Sequence, residues 1–133
     1  MRNLFGISIR GVMIKKGKVL LVNEDYEGVW ETPGGRMKHD ETLEDTLRRE
    51  LLEETGYDVR PRKLLDVFKH ENHLHILFLV KPMNSIQKPR NEATKIRWFS
   101  KEEIKNMLEK HGVDDHDVNV LKRFVNGDLD EES

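Results

Sequence analysis

The chain has 133 residues, of which 36% are hydrophobic and 36% charged, with a formal net charge of −2 and no cysteine. This suits one globular domain spanning residues 1–133, and it excludes a disordered chain, a disulfide framework and thiolate metal sites. No apolar run reaches membrane-spanning length, residues 1–6 lack a signal-peptide core, and the slightly acidic balance argues against a nucleic-acid polymer as partner, so a cytoplasmic protein is expected.

Residues 5–14 alternate and are rich in β-branched side chains, which predicts a strand. The Lys15-Lys16-Gly17-Lys18 turn joins it to a second strand over 19–22, as a hairpin. A polar loop is expected over 23–31, and Pro33-Gly34-Gly35 reads as a breaker that permits close backbone approach. Thr42 and Asp45 form a capping-box signal for a helix whose apolar stripe is Leu43, Leu47 and Leu51, with Gly56 as its left-handed end. Strands are expected over 60–69, where Pro61 favours an edge, and over 73–80, followed by a loop over 82–89. A short strand over 95–99 precedes a second capping box, Ser100 with Glu103, and a helix to about residue 110. A last helix is expected over 116–125, with an acidic, frayed end over 127–133. Strands, helix, strands and helices in that order predict an α/β fold, a sheet covered on both faces by helices.

The chemistry concentrates in residues 35–57. On a helix, Glu50, Glu53 and Glu54 fall within about 100° of arc. Like charges so placed destabilise a helix by about 0.2–0.5 kcal/mol per pair. The cluster makes chemical sense under a hard divalent cation, Mg²⁺ above all, although Glu-x-x-Glu-Glu in isolation usually marks a solvated helix face.

Gly35, Glu41, Arg49, Glu50, Leu51, Glu53, Glu54 and Gly56 stand at the spacing of the Nudix box, with Tyr57 where an aliphatic residue is usual. The chain resembles the Nudix (MutT-type) hydrolases through this stretch, its lead-in Trp30-Glu31-Thr32-Pro33-Gly34-Gly35, and Trp98-Phe99. The resemblance implies an α/β/α sandwich with a mixed β-sheet flanked by helices. It also implies a pyrophosphohydrolase that binds Mg²⁺, with Mn²⁺ as a substitute, through Glu50, Glu53, Glu54 and the Gly35 carbonyl, while Arg49 orients the glutamates. Glu41 and Arg49 also suit an ordinary surface ion pair. Glu92, six residues before Trp98, is a further candidate for ligand or base, against the alternative of a solvated loop acid.

Arg10, Arg36 and Lys38 are candidate phosphate contacts, and Tyr26 and Trp30 candidate base-stacking rings, although a core or lid role suits Trp30 equally. His70, His73 and His75 invite a metal reading, but neutral or hydrogen-bonded strand histidines are the expectation. The expected partner is a small-molecule nucleotide, with no nucleic-acid polymer and no membrane, for a chain acting as monomer or homodimer. The expected reaction is cleavage of the diphosphate linkage in a nucleoside diphosphate derivative. A nucleoside triphosphate or oxidised analogue, split to monophosphate and pyrophosphate, is favoured because the markers of other subgroups are absent. These are an added N-terminal domain, a Ser-Gln-Pro-Trp-Pro-type stretch and a tyrosine well beyond the box. The alternatives are an ADP-ribose or other nucleotide-sugar pyrophosphatase, and a Nudix-fold sensor that binds without cleaving.

Overall fold

The computed structural model describes residues 5–23, 28–86 and 94–129. Strands β1 (Gly6–Lys15) and β2 (Lys18–Asn23) pair as an antiparallel hairpin, as the turn residues predict. β3 (Gly34–Arg36) then lies antiparallel on β1, with Ile9 opposite Gly35. Helix α1 (Leu43–Thr55) follows, then β4 (Tyr57–His70), β5 (His73–Ile86) and β6 (Lys95–Ser100). Helix α2 (Lys101–Glu109), a 3-10 turn at Asp115–Asp117 and helix α3 (Val118–Val125) complete the chain.

The strands form one mixed sheet in the order β4-β5-β1-β2-β6, with β5 parallel to β1 and β3 sharing the β2 side of β1. Alternate residues of β1 feed opposite cores. Ile9 and Met13 join Leu47 and Leu51 of α1, while Val12 and Ile14 join Ile104, Leu121 and Phe124 of α2 and α3. The result is the α/β/α sandwich implied by the sequence. Removing either α1 leucine would leave a cavity costing about 2–5 kcal/mol, because both are fully buried.

Both capping boxes form as expected, at Thr42 with Asp45 and at Ser100 with Glu103, and Gly56 ends α1 with φ of 80°. Several expectations are corrected. Gly34 and Gly35 belong to a short strand, because the missing side chain of Gly34 lets β3 lie close on β1. β4 starts at Tyr57 rather than residue 60, and it occupies the sheet edge, where Pro61 is tolerated. The loop expected at Pro82 is instead the continuation of β5 to Ile86. Beyond Val80 that strand has only β4 beside it, an edge-like setting that accepts a proline. The last helix begins with a 3-10 turn and becomes α-helical only at Val118. Leu43 is 39% exposed, outside the apolar stripe. Leu129 is buried in the core on the α2/α3 side, so the chain is anchored at least that far. Residues 130–133 lie outside the described residues.

Candidate active site

The box assembles where β3 passes the flank of α1. Gly34 has φ of 154°, and a side chain there would collide with the backbone of Ile9 and Arg10. A Cβ on Gly35 would fall on the Glu50 carboxylate, so this glycine is what lets the acid lie against the β3 backbone. Glu54 is buried, and its Oε1 accepts a 2.7 Å hydrogen bond from the Gly34 amide. The helix and its lead-in are therefore tied by two of the motif's own residues.

Arg49 organises the remaining carboxylates. Its Nε and Nη2 donate to the two Glu41 oxygens at 2.6 and 2.9 Å, a bidentate fork, and Nη1 donates to Glu50 Oε1 at 2.6 Å. Nη1 also stands 3.7 Å from Glu53 Oε2, and Nη2 donates to the Arg36 carbonyl at 3.1 Å. Glu41 is further held by the Lys38 amide and the Thr46 hydroxyl. The Arg49 hydrogen bond pulls the Glu41 carboxyl down to about 2, and that contact in turn pushes the Arg49 guanidinium further up. The Glu41–Arg49 pair is thus more than a lone surface contact, because one guanidinium reaches three glutamates and a backbone carbonyl.

Glu50 and Glu53 remain partly open, with side chains 17% and 34% exposed. Among the described residues no group of three or more histidine, aspartate and glutamate side chains already stands in metal-ligand geometry. The donor set still fits a hard divalent cation. It consists of carboxylate oxygens beside the β3 backbone, in a cradle that any side chain on Gly35 would fill. Glu92 and Tyr26 lie outside the described residues. Lys38 and Arg36 are exposed, whereas Arg10 is half-buried and directed to Asp117. The Trp30 ring packs edge-to-face on Phe99 at 5.0 Å, in the core rather than as an open stacking surface.

The histidines form a polar cleft on the opposite face of the sheet. His73 hydrogen-bonds Ser8, and the His73 and His75 rings are 4.8 Å apart. The His75, Phe68 and His116 rings form a triangle, His75 lying 4.9 Å from Phe68 and 4.5 Å from His116 with those two 5.5 Å apart, and His70 meets His116 at 5.2 Å. His73 and His75 are tilted to each other and His70 turns to His116, and among the described residues no three such side chains converge on one point, so the metal reading of these histidines does not hold. Burial, then the charges of His116 and Arg10, push His75 down to about 4. Burial, then Arg36 and Arg10, also lowers His73. The His75 Nδ1 is buried without a hydrogen-bond partner among the described residues. Cavities of about 480 and 510 Å³ flank the array, the first lined by Arg36, His73 and His75 and the second by Asp114 and His116.

Sequence reasoning missed Asp117. It is fully buried, accepting from the Thr32 amide at 2.7 Å and hydroxyl at 2.8 Å, with Arg10 Nη1 at 3.5 Å. Burial raises its carboxyl, against the opposing charge of Arg10. No local signal marks it, since an aspartate beside a helix start ordinarily reads as a cap.

The family model described as NUDIX domain matches residues 5–124. The chain is a Nudix hydrolase. It is 31% identical over 108 residues to a MutT-like protein of Streptomyces ambofaciens, covering 79% of this chain and 70% of that protein. It is 28% identical over 120 residues to the 8-oxo-dGDP phosphatase of Homo sapiens, covering 84% of this chain but only 37% of the human protein. Among solved structures, a NUDIX hydrolase from Nitrosomonas europaea superposes with a TM-score of 0.79 at 27% identity, covering 95% of this chain and 72% of that one. No helix among the described residues is long and apolar enough to cross a membrane.

Proposed function

We propose that this Nudix hydrolase cleaves the diphosphate linkage of a nucleoside diphosphate derivative with Mg²⁺, for which Mn²⁺ can substitute. The favoured substrate is a nucleoside triphosphate or an oxidised analogue, released as monophosphate and pyrophosphate. One observation carries the reading: Arg49 gathers Glu41, Glu50 and Glu53 beside a glycine-only cradle on β3. The human relative, an 8-oxo-dGDP phosphatase by name, supports an oxidised nucleotide as substrate.

Glu50, Glu53, Glu54 and the Gly35 carbonyl would hold the ion. When bound, it supplies charge neutralisation for phosphoryl oxygens and acidifies a water molecule. Glu53, more open than Glu50, would take the proton from the attacking water. Glu54 holds the Gly34 amide and so fixes the β3 end of the site. Arg49 keeps Glu50 and Glu53 from splaying under mutual repulsion. Arg36 lies between the box and the histidine cleft, since a side chain on Gly6 would meet both it and His73. That position suits an arginine bound to substrate phosphate, with the cleft taking the nucleoside.

The test is phosphate release, coupled to inorganic pyrophosphatase for nucleoside triphosphates and oxidised analogues, and to alkaline phosphatase for ADP-ribose and nucleotide sugars, whose products are phosphate monoesters. Turnover should need Mg²⁺ or Mn²⁺ and vanish after exhaustive EDTA treatment. No turnover of any nucleotide with either ion would overturn the proposal in favour of a binding-only protein, and full activity without metal would overturn the role of the carboxylates.

A further inference from the structure

The turn between β1 and β2 is built from choices that oppose its stability. Lys15 and Lys18 are direct cross-strand partners, and like charges so placed repel. Lys16 adopts the left-handed conformation, with φ of 53°, that a glycine would accept more readily. All three lysines are exposed, and among the described residues none has a carboxylate within ion-pair distance. Glu103, the acid that feels the Lys18 charge, is committed to the Ser100 amide and to Arg97.

Beside the turn is a cavity of about 260 Å³ lined by Lys15, Lys16, Lys18, Tyr57 and Trp98. Tyr57 and Trp98 meet edge-to-face with ring centroids 6.0 Å apart. Lys15 Nζ lies 6.0 Å from the Tyr57 ring centre. Tyr57 is also the position at which the chain departs from the aliphatic residue usual at the end of the box. The Tyr57 ring is partly buried against the core on the α1 side and also lines this cavity.

We propose that this cavity is a second ligand site, for a mononucleotide whose phosphate sits on Lys15, Lys16 and Lys18 and whose base lies against Tyr57 and Trp98. Crowded ammonium groups call for an anion, and the aromatic wall calls for a flat ring; a mononucleotide supplies both. The volume is below that of pockets that enclose drug-sized ligands, about 300–1,000 Å³, so a dinucleotide would not be enclosed. The site is separate from the carboxylates of the box. Gly35 pairs with Ile9, and Lys15 is six residues further along β1, about 20 Å away in an extended strand.

The test uses the full chain, ¹⁵N-labelled and free of metal, titrated with AMP and separately with inorganic phosphate while backbone and indole signals are followed. Trp30→Phe assigns the two indole signals. AMP should give saturable shifts at the Trp98 indole and at the amides of residues 15–18, at least about tenfold tighter than phosphate alone. Lys15→Glu combined with Lys18→Glu should abolish these shifts, and Tyr57→Leu should weaken AMP binding about tenfold while leaving phosphate binding unchanged. Both variants should keep the wild-type kcat at saturating substrate, so a failure here is distinct from a failure of the hydrolase reading. The proposal is overturned if the Trp98 and turn signals do not saturate, if the double charge reversal leaves the shifts intact, or if phosphate binds as tightly as AMP.

Discussion

Replacing Arg49 with lysine keeps the positive charge and removes the fork. Arg49 makes a bidentate contact to Glu41, one bond to Glu50 and one to the Arg36 carbonyl, all at 3.1 Å or less. A lysine ammonium, a point charge on a flexible stem, can retain about one of these. Hydrogen bonds to charged groups contribute about 1.5–3 kcal/mol when shielded, and exposed ion pairs about 0–1 kcal/mol. With Arg49 22% exposed and Glu41 13% exposed, the pair lies between those limits. Arg49→Lys should therefore cost about 1–3 kcal/mol, read in urea as a midpoint lowered by about 1 M. Activity should fall further than stability suggests, by about 10- to 100-fold in kcat, because Glu50 and Glu53 lose the group that spaces them.

The same substitution has a pH signature. Glu41 titrates at about 2 in the folded protein, below its ordinary 4.5, chiefly through the Arg49 bond. As pH falls, the unfolded chain is protonated first. The stabilisation is complete above about 4.5 and is lost as pH falls towards 2. With lysine at position 49, Glu41 should titrate nearer its ordinary value, flattening the acid limb that this residue contributes. Urea melts from pH 6 to pH 3, taken with kcat at neutral pH, decide the matter. If the variant matches wild type in midpoint and in kcat, Arg49 is a surface ion pair and does not organise the box.

Glu53→Gln should lower single-turnover rates by about 10²–10⁴ with little change in stability, since it removes a proton acceptor and disturbs only a 3.7 Å contact with Arg49. Glu54→Gln should slow turnover over the same range while the fold survives, because glutamine keeps an oxygen for the Gly34 amide; rates within threefold of wild type for both variants would remove them from the chemistry. Gly35→Ala should displace Glu50 and weaken Mg²⁺ binding by about 10- to 100-fold, and unchanged affinity by calorimetry would count against the cradle. His75 titrates at about 4, below its ordinary 6.5, so its contribution to stability is complete above 6.5 and declines as pH falls towards 4. His75→Phe should remove that slope from stability measured between those pH values, and an identical slope in the variant would show that another group sets it. Glu92→Gln should change the pH–rate profile at saturating Mg²⁺, and an unchanged profile would leave the base within the box.

What the sequence revealed and what it concealed divide by the range of the interactions. The box was legible because its residues lie on one helix and its lead-in, so spacing alone brings Glu50, Glu53 and Arg49 to one side of α1. The caps at Thr42 and Ser100 were legible for the same reason, each being a contact between residues three apart. The histidine cleft was half legible. The two-residue strand period put His73 and His75 on one face, but His116, the ring that stacks on His75, arrives from beyond α2. Asp117 was hidden altogether, because its partners Thr32 and Arg10 are 85 and 107 residues away. Pro82 misled for a related reason, since whether a proline ends a strand depends on which neighbour the strand has at that point, and only the pairing of β5 with β4 and β1 decides that. The carboxylates of the box could therefore be placed from local spacing, whereas the histidine cleft proposed to take the nucleoside is assembled from residues far apart in the chain, His73 and His75 on β5 and His116 ahead of α3.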